Sequence, residues 1–105
     1  MEISEKQARH AKFWKKFLRL TRGRVPVLRA LAIIGEEEKR KSFKSVVISI
    51  RKDMDKGKEL SEAIVKHPKE FSPSILELVK SAEKSGAWDE ILKEISEGLQ
   101  DGTFE

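Results

Sequence analysis

Apolar residues recur every three or four positions through most of the chain, in six segments separated by Gly, Pro or charged residues. This spacing puts them on one face of an α-helix. The clearest stripe predicts a helix from Ser42 to Gly57, and its members are Phe43, Val46, Val47, Ile50 and Met54. Residues 46–48 could also form a strand, but no hairpin signal supplies a partner. Six helices with short connections predict an all-α fold, a six-helix antiparallel bundle.

The first helix has recognisable ends. Ser4 and Gln7 have the form of a capping box, so the helix is predicted to begin there. It runs to about Thr21 and ends at Gly23. Pro26 is suited to the first turn of the next helix.

The second helix carries apolar residues around most of its circumference. They are Val27, Leu28, Ala30, Leu31, Ala32, Ile33 and Ile34. This distribution predicts the most buried helix of the bundle. Gly35 and the charged run 36–41 predict a helix end and a polar turn, with a kinked continuous helix as the alternative.

Proline marks the limits of the next two helices. A short fourth helix is predicted from Leu60 to Lys66, because Pro68 disfavours helical backbone in the residue before it. Ser72 and Pro73 provide the N-cap and first helical position of a fifth helix.

The sixth helix follows Gly86, and residues 100–105 beyond it are expected to fray. Its apolar stripe consists of Trp88, Ile91, Leu92, Ile95 and Leu99. The spacing predicts that Trp88 belongs to the core of the last two helices. Structural roles are assigned to the residues that begin or end helices and to this indole: Gly23, Pro26, Gly57, Pro73, Gly86 and Trp88.

The length of 105 residues predicts one domain, residues 1–105. The net charge of +4 is unevenly distributed. Residues 1–31 contain nine basic and two acidic side chains, a net of +7, whereas residues 70–105 contain three basic and nine acidic ones, a net of −6. This polarity is suited to docking a partner or to head-to-tail packing.

The sequence has no constellation typical of catalysis. It has no Cys, and its two His residues, His10 and His67, are far apart, so no zinc site is indicated. No nucleophile elbow or phosphate-binding Gly loop occurs. No secretory signal or membrane-length apolar run is seen, so we expect a cytoplasmic location and no transmembrane segment. We also expect no enzymatic activity, no cofactor and no small-molecule substrate.

The first helix is strongly basic and has an alternative interpretation. Five cations could face phosphates of nucleic acid or an anionic membrane surface, with Trp14 nearby: Lys12, Lys15, Lys16, Arg19 and Arg22. The simpler interpretation puts Trp14 and Phe17 in the core and the cations in solvent. We favour the simpler one over nucleic acid, because no helix-turn-helix spacing is evident.

Several motifs occur in a defined order along the chain. They are Phe17-Leu18-Arg19-Leu20, Gly23-Arg24-Val25-Pro26-Val27 and Ala30-Leu31; Gly57-Lys58-Glu59-Leu60-Ser61-Glu62-Ala63; Phe71-Ser72-Pro73; and Ala82-Glu83-Lys84-Ser85-Gly86-Ala87-Trp88-Asp89 with Ile91-Leu92. Together they resemble the cytoplasmic domain repeated in the inner-membrane platform protein of type II secretion and type IV pilus machines, the F-type secretion domain. The resemblance leaves residues 1–15 as an N-terminal helix extension.

This chain departs from the family pattern in several respects. Glu59 stands where the family often has a small polar residue, and Arg24 adds a charge at a position that is not invariant. Ala82 stands where the family usually has Gly. Family members also carry two such domains separated by membrane helices, so this chain corresponds either to an excised cytoplasmic domain or to a freestanding relative.

The resemblance implies a six-helix scaffold, at the cytoplasmic face of the inner membrane, that binds the assembly ATPase of the machine and forms a homodimer. The candidates for the partner interface are Glu83, Lys84, Arg19, Arg22 and Arg24.

Glu83 has two interpretations. In the structural one it pairs with Lys80 or Lys84, or lies against the N-terminus of a nearby helix. In the functional one, which the resemblance suggests, it faces a subunit or partner interface and holds a hard cation such as Ca²⁺ through its oxygens.

Overall fold

Six α-helices make up the regular structure of residues 4–100, the part of the chain that the computed structural model describes. They are α1 Glu5–Arg22, α2 Val27–Glu37, α3 Lys41–Asp55, α4 Leu60–Ile64, α5 Pro73–Ser85 and α6 Trp88–Gln100. No strand occurs in this range, so the all-α class and the six-helix bundle are confirmed. The sequence predicts fraying for residues 100–105; Gln100 is the last residue of α6, and residues 101–105 lie outside the described range. None of these helices is both long and apolar enough to cross a bilayer.

The predicted helix starts are confirmed at α1 and α5. The Ser4 hydroxyl accepts a hydrogen bond from the Gln7 backbone N–H at 3.1 Å, and the Gln7 side-chain oxygen accepts one from the Ser4 N–H at 3.0 Å. At α5, Ser72 caps the Ile75 N–H at 3.4 Å, with Pro73 in the first turn. These side chains satisfy N–H groups that have no partner within the helix.

The helices pack in a closed ring. Each helix contacts the next one along the chain, and α6 returns to pack against α1, which is the most extensive contact. Aromatic rings fill the centre: the Phe13 ring lies 5.1 Å from that of Trp14 and 5.4 Å from that of Phe43. Trp14 and Phe17 are buried, as the simpler interpretation of α1 predicts.

The prediction that α2 is the most buried helix is wrong. Val27 and Leu28 are 38% and 36% exposed, and only Ala30, Leu31, Ile34 and Gly35 are buried. Like every helix of the ring, α2 packs against two others, α1 and α3, but its apolar residues extend around most of its circumference. A helix with two neighbours cannot bury apolar residues on every side.

Two helix ends differ from the prediction. The helix α2 continues through Gly35 to Glu37, because Gly35 is buried where a Cβ would lie 3.5 Å from Val47, and packing overrides the weak helix propensity of Gly. The helix α4 ends at Ile64 instead of Lys66.

The loop between α1 and α2 has an unexpected backbone. Gly23 follows the end of α1 as predicted, but with an ordinary φ of −79°. The left-handed residue is Arg24, with φ 64°. Pro26 precedes α2 as its N-cap and does not lie in its first turn. Gly57 and Gly86, at the ends of α3 and α5, do have positive φ.

Candidate interaction site

A cleft of about 630 Å³ opens at one end of the bundle, and we call it the loop-end cleft. It is formed by the α1–α2 and α3–α4 connections together with the ends of α5 and α6. Its lining residues are Phe17, Thr21, Arg24, Val25, Pro26, Val27, Met54, Lys58, Glu59, Leu60, Glu83, Trp88 and Leu92.

Three of the sequence motifs meet at this cleft. The stretch 23–27 contributes four lining residues, the stretch 57–63 contributes three, and the stretch 82–89 contributes Glu83 and Trp88. Helices and their connections separate these stretches along the chain, and the ring of helices brings them to the same end of the bundle. The motifs are therefore neighbours in space although they are far apart in sequence.

Glu83 binds the start of α4. The backbone N–H of Ser61 donates to Oε2 of Glu83 at 2.9 Å, and the Ser61 hydroxyl donates to Oε1 at 2.6 Å. The side chain thus lies against the N-terminus of a nearby helix, one of the structural alternatives that the sequence left open. It pairs with neither lysine; Lys80 instead lies 3.6 Å from Glu77.

Glu59 shares the rim of the cleft with Glu83. The negative charge of Glu83 raises the pKa of Glu59 above its usual value, and a hydrogen bond between the two carboxyl groups, burial and the charge of Glu62 act in the same direction. Like charges this close disfavour double ionisation. The rim therefore carries two mutually repelling carboxyl groups.

The described residues do not gather a set of metal ligands. Nowhere in 4–100 do three or more His, Cys, Asp or Glu side chains converge in a way that could hold an ion. A Ca²⁺ ion at Glu83 would need additional oxygen ligands from elsewhere, because Ca²⁺ is coordinated by about six to eight oxygen atoms. The ion stays a prediction.

Trp88 belongs to both the core and the cleft. It is partly buried, packs against the core cluster and also lines the loop-end cleft. One part of the indole is therefore accessible from this end of the bundle.

The four basic interface candidates do not form one group. Arg24 lines the loop-end cleft with Glu83. Arg19 and Arg22 lie instead in the groove between α1 and α6, where the Arg22 guanidinium binds both carboxylate oxygens of Asp89, at 2.5 and 2.9 Å. This partner lowers the pKa of Asp89. Lys84 is exposed and lines neither the loop-end cleft nor the groove between α1 and α6.

The basic face of α1 lacks an aromatic side chain for stacking. Trp14 is 0% exposed, so it cannot contact a base. Lys16 pairs with Glu37 and Arg22 with Asp89, which leaves fewer cations free to face an anionic partner than the sequence suggested.

His10 is a feature that sequence analysis missed. Its ring is buried, 4.8 Å from the Phe43 ring and 5.6 Å from the Phe71 ring, and its Nε2 lies 2.8 Å from Oε2 of Glu70. Burial lowers the pKa of His10, while Glu70 counteracts part of that effect. The only signal in the sequence was the position of His10 on the inner face of α1.

The described residues thus form a helical domain whose distinctive surface is a cleft and not a constellation of catalytic groups. The family described as "Type II secretion system (T2SS), protein F" matches residues 13–103, and the chain belongs to this family. The resemblance inferred from the motifs is confirmed.

Individual relatives agree. The chain is 32% identical over 72 residues to the type IV pilus assembly protein TapC of Aeromonas hydrophila, covering 69% of this chain and 17% of that protein. It is 35% identical over 74 residues to PilC of Thermus thermophilus, covering 70% and 18%. For PilC of Myxococcus xanthus the identity is 26% over 84 residues, covering 80% and 20%. The chain spans about a fifth of the length of these relatives.

Proposed function

We propose that the chain is a non-enzymatic interaction domain, residues 1–105, of a platform protein for type II secretion or type IV pilus assembly. The observation that carries this proposal is the convergence of three motif stretches on the loop-end cleft. Helix capping alone would explain Gly57 or Gly86, but it would not require Val27, Glu59 and Trp88 to border the same opening. A shared binding surface would require that.

The partner proposed is the assembly ATPase of the same machine, a second copy of the chain, or both. The domain would act at the cytoplasmic face of the inner membrane. Family membership supports this assignment, and so does the charge polarity of the chain, since complementary potentials steer the association of proteins.

Two exposed valines allow a matched test of the surface. Val27 borders the loop-end cleft and is 38% exposed, whereas Val65 is 52% exposed and lies outside it. The Val27→Asp and Val65→Asp variants introduce the same charge and remove the same apolar side chain. Calorimetric titration of each with the cognate ATPase is expected to show at least about tenfold weaker binding for Val27→Asp only, as for a contact at the centre of an interface.

Equal affinity of both variants and the unaltered chain for the ATPase would show that the cleft is not part of the interface. Sedimentation of the same three proteins over a range of concentrations tests the homodimer. If no ATPase binding and no self-association occur at high concentration, the proposed function is wrong.

A further inference from the structure

The loop-end cleft combines an apolar lining with an acidic rim. Eight of its thirteen lining residues are apolar, and the partly exposed Val27 and Trp88 lie among them. Its volume of about 630 Å³ is within the range of roughly 300 to 1,000 Å³ that is usual for binding pockets. The lining therefore has room for at least one large apolar side chain.

Within the part of the chain that the structure describes, the two carboxyl groups at the rim form no ion pair with the cations that line the same cleft. Glu59 and Glu83 face each other, and neither forms an ion pair within residues 4–100, although Arg24 and Lys58 line the same cleft. Every influence identified on the pKa of Glu59 raises it, so its charged form is disfavoured in the folded chain. A cation supplied from outside would relieve this repulsion.

We propose that the loop-end cleft binds a segment of a partner protein in which a lysine or arginine is adjacent to a large apolar side chain. The apolar side chain would enter beside Leu60 and Trp88, and the cation would lie between Glu59 and Glu83. This inference rests on the proposed function and names the chemistry of the partner.

A second copy of the chain fits this cleft less well through its basic helix. Four of the large apolar residues next to the cations of α1 are buried, Phe13, Trp14, Phe17 and Leu18, and the fifth, Leu20, is partly buried against the core. The basic face of α1 therefore offers its cations only one partly accessible large apolar neighbour, Leu20, whereas the proposed ligand of the cleft needs a fully accessible one.

The test uses three peptides, acetyl-Ala-Leu-Xaa-Phe-Ala-amide, in which Xaa is Lys, Gln or Glu. Each is titrated into the ¹⁵N-labelled chain, and the NMR signals of the Trp88 indole and the Ser61 amide report on the cleft. The indole of the buried Trp14 serves as an internal reference. We expect the Lys peptide to bind about tenfold more tightly than the Glu peptide, with the Gln peptide between them and the difference reduced by salt.

Glu59→Gln separates this inference from a general apolar contact. The substitution keeps the size of the side chain and removes one of the two repelling charges. We expect the preference for Lys over Glu to fall to about threefold or less, while the urea midpoint of unfolding rises. Glu36→Gln, the same change at an exposed position outside the cleft, is expected to alter neither quantity.

Equal affinity for the three peptides, or an undiminished preference in Glu59→Gln, would overturn the inference. It would also be overturned if the Trp88 and Ser61 signals shifted with protein concentration alone, which would assign the cleft to a second copy. A response to Ca²⁺ but to none of the peptides would assign the carboxylates to a metal ion, with the same result. If the peptides fail while Val27→Asp still weakens ATPase binding, the proposed function stands and only this inference is lost.

Discussion

Glu83 and Ser61 are 22 residues apart along the chain, and their contact joins two helices. The carboxylate of Glu83, near the end of α5, accepts hydrogen bonds from the backbone N–H and the hydroxyl of Ser61, at the start of α4. Because α4 has only five residues, it has little helical stability of its own. An anion at its N-terminus satisfies an N–H group that has no partner within the helix.

Replacing Glu83 is expected to destabilise the fold. Glu83→Ala removes two charge-assisted hydrogen bonds, so we expect the free energy of unfolding to fall by about 1.5 to 3 kcal/mol, and by about 1 kcal/mol for Ser61→Ala, which removes one. Urea unfolding followed by circular dichroism measures both. Lys84→Ala, at the adjacent exposed position, serves as the control and is expected to change stability by about 0.5 kcal/mol at most. An effect of Glu83→Ala no larger than that of the control would show that this contact is unimportant for stability.

His10 predicts loss of stability on mild acidification. Burial lowers the pKa of His10 below its usual 6.5, so below pH 6.5 the unfolded chain binds a proton that the folded chain does not. The free energy of unfolding contributed by His10 is then constant above pH 6.5 and decreases as the pH falls below it. Urea midpoints measured over this range are expected to decline accordingly.

His10→Gln isolates this contribution. The variant keeps a polar group near Glu70 but has no proton to gain, so its urea midpoint is expected to vary less with pH below 6.5. The charges of Lys6, Arg9 and Glu70 also act on His10 and are common to both proteins. Glu59, whose pKa is raised, contributes the opposite slope in more acidic solution in both. Parallel pH profiles for the two proteins would contradict the prediction.

Gly86 and Gly23 both follow helices, yet substitution should affect them differently. Gly86 has φ 78°, a left-handed conformation, whereas Gly23 has φ −79°. Gly86→Ala is therefore expected to destabilise the chain by about 1 to 2 kcal/mol. Gly23→Ala is expected to be neutral or stabilising by up to about 1 kcal/mol, because its Cβ would lie no closer than 3.4 Å to a neighbouring atom. Thermal or urea unfolding of the two variants measures both changes. Equal changes in stability would contradict the difference in backbone conformation between Gly86 and Gly23.

The two tryptophans should differ in their access to solvent. Trp14 is 0% exposed and Trp88 is partly exposed at the loop-end cleft. Acrylamide is expected to quench the fluorescence of a Trp14→Phe variant, which retains Trp88, more than that of a Trp88→Phe variant. Circular dichroism of both variants controls for folding. Greater quenching of Trp14 than of Trp88 would contradict the burial of Trp14 and the exposure of Trp88.

Local chemistry accounts for the predictions that succeeded. The capping box of Ser4 and Gln7, the pair Ser72 and Pro73, and the stripe through Phe43 and Ile50 act within one or two helical turns. Such signals can be read from neighbouring positions because the groups that satisfy one another are only three or four residues apart.

The candidate site was only partly predictable. The motif order identified the family and drew attention to Glu83, but not its bond to Ser61 or its repulsion of Glu59. The sequence placed Arg22 among the interface candidates, whereas the fold engages it with Asp89. The contact of His10 with Glu70 spans 60 residues, and no local pattern encodes it.

The sequence by itself determined the helical class, the main helix starts and the family, because these depend on periodicity, caps and ordered motifs. The tertiary structure decided which apolar faces are buried, and it left part of α2 exposed because the apolar residues of that helix cover more of its circumference than its two neighbours can bury. It also decided that stretches 23–27, 57–63 and 82–89 share one cleft. That convergence depends on how the ring of helices closes through α1 and α6, and such long-range packing has no counterpart in the local spacing of residues.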